Sequence, residues 1–245
     1  MIGIISPAMN MRIEERPEIS LSEPHMMEKA ERIYEELKRL QPWEIQNLMK
    51  VNDKIALQAF LDFQDWKKGD GAGAVFAYDG LVFKNIDAGH MTEDQWEYLN
   101  RHVRILSGLY GVLKPFDRIR PYRLEMASPL KSDGRNLYRF WGSDLAEEIF
   151  KTGEPVINLA SEEYAKAIRK YREPADRWID IEFLTRRNGK LRTITAWAKM
   201  ARGRMVRFMA ERQADDPEEL KEFEFQGYEF EEALSTEQKF VFVSR

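Results

Sequence analysis

Apolar positions recur along the chain with two spacings, one typical of helices and one typical of strands. Helical spacing predicts helices at 24–40, 43–60, 92–106, 143–150, 162–170 and 198–212. Short apolar or alternating runs predict strands at 1–5, 75–82, 155–160, 178–184, 191–196, 223–230 and 239–245. This mixed order predicts an α+β fold, in which a mixed sheet is flanked by helices. We expect one domain over residues 1–245.

Local signals sharpen several of these boundaries. Thr92 and Gln95 match a capping box at the start of a helix. Asn188-Gly189 predicts a tight hairpin turn, and Asp79-Gly80 predicts a second one between two strands. The glycine-rich residues 67–73 predict a flexible turn.

The most distinctive stretch is 105–126, ILSGLYGVLKPFDRIRPYRLEM. Gly108, Tyr110 and Gly111 form a glycine-rich turn after the predicted helix, and a basic strip follows, made of Lys114, Arg118, Arg120 and Arg123. Helix, tight turn and basic residues are the layout of a helix-hairpin-helix element, whose backbone amides bind phosphates without reading bases. The alternative is a helix C-cap followed by an ordinary loop.

The net charge of −4 conceals two basic blocks. Residues 101–139 carry nine Lys and Arg against three acids, and residues 186–207 carry eight and no acid. If the blocks converge, they form a basic cleft suited to a nucleic-acid backbone; if they do not, they are solvated faces.

The last helix contributes a cation in an unusual place. Arg202 falls within the apolar arc of 198–212, whereas Lys199, Arg204 and Arg207 lie off it. A cation on an inner helix face is costly unless it meets an anion or lines a wet cleft. The alternative is that Arg202 reaches back to the surface along its apolar stem.

Polar side chains also follow the predicted buried strands. Ser6 and Asn10 come after 1–5, and Asn158 and Ser161 close 155–160, with Ser161 at the start of a helix. Sheet edges and helix N-termini of this kind commonly hold small anionic ligands. Together with Lys54 they are candidates for a closed pocket.

Several classes of protein are disfavoured. The chain has no cysteine, three dispersed histidines and no apolar run of membrane-spanning length. Its first residues do not form a signal peptide, so we expect a cytoplasmic protein without membrane association. No nucleotide-binding or metalloprotease motif occurs. We therefore expect no metal and no cofactor, and a monomer, while catalysis stays open.

The chain resembles the YaaA family of bacterial peroxide-stress proteins from end to end. The resemblance rests on Ile5 to Ala8 and on segments 51–56, 106–126, 137–142, 156–164, 198–208 and 226–228. It implies an α+β unit with a deep basic cleft and a helix-hairpin-helix-like element. It also implies DNA binding and protection from peroxide linked to low intracellular iron. Met9 and Met200 stand where the family pattern has lysine, which removes two positive charges.

Two functional hypotheses follow. The first is a stress protein that binds double-stranded or branched DNA by shape, with phosphate contacts from Gly108, Tyr110, Gly111, Lys114, Arg118, Arg120, Arg123, Lys199, Arg202, Arg204 and Arg207. The second is an enzyme acting on a nucleotide-like or phosphorylated metabolite, bound by Arg202 with Ser6, Asn10, Lys54, Asn158 and Ser161.

Overall fold

A computed structural model describes residues 1–14, 16, 18–66 and 71–244. Its helices are α1 Met27–Arg39, α2 Pro42–Met49, α3 Asp53–Asp65, α4 Ala74–Ala77, α5 Leu81–Ile86, α6 Glu93–His102, α7 Leu137–Trp141, α8 Asp144–Phe150, α9 Glu162–Arg169 and α10 Thr195–Arg212. Short 3-10 helices occupy Ala88–His90, Pro217–Glu222 and Glu232–Leu234. Within these ranges no helix has the length and apolar character needed to cross a membrane. Residues 67–70 of the predicted flexible turn lie outside the described residues.

The strands are short apart from one long strand near the C-terminal third. They are β1 Ile2–Ile5, β2 Ala72–Gly73, β3 Val103–Ser107, β4 Gly111–Leu113, β5 Arg118–Ile119, β6 Lys131–Ser132, β7 Arg135–Asn136, β8 Val156–Asn158, β9 Trp178–Arg187, β10 Lys190–Arg192, β11 Tyr228–Phe230 and β12 Lys239–Ser244.

One mixed sheet organises the fold and confirms the predicted α+β class. Its order is β11-β12-β9-β8-β1-β3-β4, and β10 pairs with β9. The five strands from β12 to β3 are parallel to their neighbours, while β4 and β11 are antiparallel to theirs. Helices cover the sheet, so the central strands β1 and β8 are buried along their whole length, as their unbroken apolar sequences require.

Several local predictions are confirmed. Thr92 and Gln95 form the capping box of α6. Asn188 and Gly189 turn β9 into β10 with φ of 50° and 73°, the left-handed conformation that this pair favours. The C-terminal helix forms, starting at Thr195 and ending at Arg212.

Two predictions are wrong. Residues 75–82 were expected as strand, turn and strand around Asp79-Gly80, but they contain α4 and the start of α5. The helix expected to run to Leu106 ends at His102, and Val103–Ser107 is β3. The first error follows from the Asp79-Gly80 pair, which favours a hairpin turn but here lies between two short helices. The second arises because the apolar positions of β3 continue the helical stripe of α6.

The strand order reverses at β1, and this reversal positions the site. The chain passes from β1 to β3 on one side and later returns to β8 on the other side. The carboxyl ends of β1 and β8 therefore lie side by side with their following segments diverging. In open α/β sheets, ligands bind in the crevice at such a switch point.

Candidate functional site

A cavity of about 390 Å³ lies at this crevice. Its wall combines 6–10 after β1, 159–164 after β8, the loop 79–83 and two cations of α10. The volume is within the range of small-molecule sites. Of the polar residues predicted for a closed pocket, Ser6, Asn10 and Ser161 line the cavity, whereas Asn158 and Lys54 do not.

Ser6 and Ser161 join the two strand ends. The Ser6 Oγ accepts a hydrogen bond from the Ser161 backbone N–H at 2.8 Å and donates to the Ser161 Oγ at 3.1 Å. Ser161 occupies the N-cap position of α9, but its side chain makes no capping bond. Its hydroxyl is thus held at the cavity wall by Ser6 and keeps its own proton available for a ligand.

Asn158 shapes the turn that presents Ser161. Its Nδ2 donates to the Asp180 carboxylate at 2.7 Å, and its Oδ1 accepts from the Ala160 N–H at 3.0 Å. The same Asp180 oxygen also accepts from Arg169 and Trp178, each at 2.9 Å. These bonds fix the end of β8 beneath the cavity, so Asn158 positions the site without lining it.

Arg202 enters the cavity wall from α10. Its Nε is buried and has no hydrogen-bond partner among the described residues. Burial lowers the pKa of its guanidinium below the usual value. The residue as a whole is half-buried, but an Nε–H shielded from water without an acceptor is costly to the fold, which is a physical reason to expect an anion there when the site is filled.

Tyr164 is a second buried polar group that lacks a partner. It lies in the first turn of α9, is 4% exposed and lines the same cavity. Its hydroxyl has no hydrogen bond of good geometry within the described chain. Burial raises its pKa well above the usual value, and the nearby Met126 backbone N–H opposes only part of that rise. No feature of the sequence pattern indicated Tyr164 as a residue of the cavity.

The charges around the cavity are mixed. Lys199 and Arg202 are the cations of its wall, and Asp79, Glu125 and Glu163 also line it. The Asp79 carboxylate pairs with Lys84 at 2.9 Å, and that of Glu163 accepts from the Ala127 N–H at 2.9 Å. Glu125 is exposed, and no hydrogen bond or ion pair of its side chain occurs among the described residues. The three acids come from separate segments of the chain, two loops and the first turn of α9, so no sequence motif indicated them.

The turn from Gly108 to Gly111 connects two strands, β3 and β4, where the sequence predicted a helix before the turn and a basic strip after it. Its Leu109 and Tyr110 amides both donate to the Ser107 Oγ, at 3.1 and 2.9 Å. The Gly108 carbonyl accepts from the indole N–H of Trp141 at 3.1 Å.

Gly111 has a φ of 75°, and a Cβ there would lie 2.6 Å from the Met26 Sδ. The turn is buried, and the amides of Leu109 and Tyr110 are already used. The expected exposed hairpin of free amides is therefore corrected to a buried β-turn.

Tyr110 is likewise part of the interior. Its hydroxyl accepts from the Trp66 indole N–H at 2.9 Å and from the Arg120 backbone N–H at 3.0 Å. The Tyr122 hydroxyl meets those of Tyr78 at 2.6 Å and Ser107 at 2.7 Å. This network fastens the start of the basic strip to the sheet.

The cations of the basic strip are in different surroundings. Lys114 is exposed, Arg118 pairs with Glu23 at 3.5 Å, and Arg120 is half-buried. Arg123 donates to the Met9 carbonyl at 3.3 Å and lines a smaller cavity of about 160 Å³. Met9 and Glu125 line both cavities, so the smaller cavity continues the larger one toward Arg123.

The remaining cations of α10 lie elsewhere on its surface. Arg204 stacks over the Phe225 ring at 5.7 Å. Arg207 pairs with Asp87 at 3.1 Å and Glu211 at 2.6 Å, and it also donates to carbonyls at the end of α5. Lys54 is exposed at the start of α3, outside the lining of either cavity.

The fold and the site together define an α+β protein with a ligand-sized, mixed-charge cavity at the switch point of its sheet. A family model described as "Peroxide stress protein YaaA" matches residues 1–234, and the chain belongs to this family. A UPF0246 protein of Clostridioides difficile is 38% identical over 245 residues, covering 99% of each chain. One of Clostridium beijerinckii is 42% identical over 252 residues, covering 99% of this chain and 97% of the relative. The family name supports a general role in oxidative stress.

Proposed function

We propose that the protein serves this stress role by binding a small anionic metabolite, nucleotide-like or otherwise phosphorylated, in the switch-point cavity. The observation that carries the proposal is the pair of buried groups, the Arg202 Nε and the Tyr164 hydroxyl, that line one cavity without partners. Other arginine Nε atoms of the described chain also lack partners, but the Arg202 Nε and the Tyr164 hydroxyl face the same cavity, and that coincidence favours a ligand.

The chemistry of the wall favours a phosphorylated ligand. Arg202 and Lys199 supply the cations that an anion needs, and the N-terminal end of α9 lines the same crevice. Glu125 can accept hydrogen bonds from a hydroxyl or amino group elsewhere on the ligand. A nucleotide-like molecule carries both kinds of group, so it matches a cavity of mixed charge. If the protein is an enzyme, this ligand would be its substrate and would react in the same cavity.

Thermal shift and calorimetry with a panel of nucleotides, sugar phosphates and inorganic phosphate test this proposal. A ligand at about 100 times its Kd stabilises the folded state by about 2.7 kcal/mol. Arg202→Met should abolish the shift. Arg204→Met is the matched control, because Arg204 is on the same helix but faces Phe225. If no member of the panel shifts the midpoint, or if both variants lose binding equally, the proposal is wrong.

DNA binding is the second candidate function, and a specific surface favours it. The two cavities share Met9 and Glu125 in their walls, and Lys199, Arg202 and Arg123 are the cations that line one or the other. A duplex is too wide to enter a cavity of about 390 Å³, so it would lie across the mouth of the cavity and contact the side chains there. Binding should follow DNA shape and weaken with salt, with a log–log slope of about −0.9 per phosphate contact.

Titration of labelled duplex and branched DNA at low and moderate salt tests this second candidate. Tight binding that weakens with salt and in Arg123→Gln would support it, while a salt-insensitive complex would contradict it. The proposed link to intracellular iron needs a cellular measurement. Cells lacking the protein should contain more unincorporated iron after peroxide treatment, as measured by electron paramagnetic resonance.

A further inference from the structure

The longest strand of the sheet extends past its neighbours. The pairing of β9 with β8 ends at Asp180, opposite Asn158, and its pairing with β12 ends at Thr185, opposite Ser244. Beyond Thr185, β9 pairs only with β10. Residues 186–192 therefore form a two-stranded ribbon that projects from the sheet, here called the basic ribbon.

The position of the basic ribbon relates it to the cavity. At Thr185, β9 pairs with β12 on one side and with Arg192 of β10 on the other. Because β12 and β8 flank β9 on opposite sides, β10 lies on the side of β8. The ribbon thus extends beyond the carboxyl ends of the parallel strands, which is the edge of the sheet where the cavity opens.

Every charge on the basic ribbon is positive and exposed. Its cations are Arg186, Arg187, Lys190 and Arg192. None of the four side chains forms an ion pair or a hydrogen bond within the described ranges, whereas exposed cations such as Arg101 and Lys151 pair with neighbouring acids. The sequence has no acid from residue 183 to residue 210, so no acid nearby in the chain offsets these charges.

The register places three of these cations on one face. Arg187 is directly opposite Lys190, and Arg192 follows Lys190 by two residues, so all three side chains project on the same side. Directly opposed side chains have Cβ atoms about 5 Å apart, and the next one along a strand is about 6.7 Å away. Like charges directly opposite each other destabilise a sheet. The stability of the fold therefore does not explain this arrangement of like charges. A bound polyanion would neutralise the charges and remove their mutual repulsion.

We propose that the basic ribbon binds the sugar-phosphate backbone of a nucleic-acid duplex. A two-stranded antiparallel ribbon has the width that the major groove of a duplex accepts, with phosphates on both sides. An acidic protein partner is less favoured, because Leu191 is the ribbon's sole apolar residue and protein interfaces are built around buried aromatic and apolar anchors. The inference rests on the second candidate function and moves its main contacts from the cavity mouth and the strip of Lys114 to Arg123 to this ribbon.

The experiment compares three charge-removal variants of the full chain. The ribbon variant carries Arg186→Gln, Arg187→Gln, Lys190→Gln and Arg192→Gln. The strip variant carries Lys114→Gln, Arg118→Gln and Arg123→Gln. The matched control removes the exposed cations of a different short hairpin and the helix after it, β6–β7 and α7, through Lys131→Gln, Arg135→Gln and Arg139→Gln. Fluorescence anisotropy with a labelled random-sequence DNA duplex measures affinity between about 50 and 200 mM salt.

The ribbon variant should bind at least tenfold more weakly at the lower salt, and its log–log salt slope should be shallower by about 3 to 4. Its thermal midpoint should stay the same or rise, because the opposed like charges are gone. Loss of affinity in the strip variant alone would overturn the ribbon proposal and leave DNA binding standing. An equal loss in the control variant would also overturn it, by showing an effect of net charge. No binding by the unaltered protein at low salt would reject both proposals.

Discussion

Gly203→Ala should loosen the packing of α10 on α5 and thereby weaken the site. The two helices cross so closely at Gly203 that an added Cβ would lie 2.1 Å from the Val82 carbonyl oxygen. It would also lie 2.8 Å from the Asn85 Cβ. Both neighbours belong to α5, and the nearer one is a backbone atom that cannot rotate away.

The magnitude follows from the distance. Close carbon–oxygen contacts are about 3.3 Å or longer, so the helices must separate by roughly 1.2 Å. Overpacking of this kind costs about 1–3 kcal/mol, whereas alanine in place of glycine in a helix gains about 1 kcal/mol at most. The steric term is larger, because the strain falls on backbone. A net loss of about 1 kcal/mol corresponds to a fall in Tm of about 2–4 °C for a chain of this length. Arg202 precedes Gly203, so the separation also displaces the guanidinium from the cavity wall.

Calorimetric unfolding of the variant measures this loss, with ligand or phosphate titration as the second readout. Gly89→Ala is the matched control. A Cβ at Gly89 would lie 2.9 Å from the Nη2 of Arg16, the far end of a flexible side chain that can move aside. We expect little change there. The reasoning is refuted if Gly203→Ala unfolds at the same or a higher temperature than the unaltered protein.

Three other substitutions probe the site and its support. Arg202→Met should raise the free energy of unfolding by about 1 kcal/mol, because it removes a cation whose Nε is buried without a partner. Urea denaturation measures this change, and a lower stability of the variant would show that the guanidinium is satisfied in the folded state. Burial raises the pKa of Tyr122 to about 12, so the folded state resists ionisation of this hydroxyl. Because a tyrosine of the unfolded chain ionises near pH 10, this contribution to the free energy of unfolding is complete below about pH 10 and is lost as pH rises toward 12. Tyr122→Phe should flatten that alkaline loss in pH-dependent melting, and at pH 7 it should cost about 1–3 kcal/mol because the hydroxyls of Tyr78 and Ser107 each lose a partner. Asp180→Ala should destabilise the chain by a similar amount and weaken ligand binding, as measured by calorimetry, because three donors lose their common acceptor at the end of β8.

The regular parts of the fold were predictable because their signals are local. The capping box at Thr92 and the Asn188-Gly189 turn depend on a few adjacent residues, and both form as expected. The position of Arg202 on the inner face of α10 was also predictable, since helical periodicity alone places it among the apolar residues of that helix.

The cavity itself could not be read from the sequence. Glu125, Glu163 and Asp79 come together because β1 and β8 are adjacent in the sheet, and strand order is a long-range property. The burial of the Gly108–Gly111 turn also depends on distant residues, since Met26 and Trp141 cover Gly111. A glycine-rich turn next to basic residues therefore predicted exposed amides, although two of the turn's amides already donate inside the protein.

The resemblance to the YaaA family implies lysine where this chain has Met9 and Met200, and at Met9 such an exchange would have a physical consequence. This side chain lies between the cavities, next to Glu125, and its carbonyl accepts from Arg123. A lysine there would offer Glu125 an ion pair, whereas methionine leaves that carboxylate free to accept a hydrogen bond from a ligand. The loss of a positive charge at Met9 thus weakens the case for a phosphate backbone across the two cavities. At the same time it strengthens the case for a ligand that has an anionic end at Arg202 and hydrogen-bond donors at Glu125.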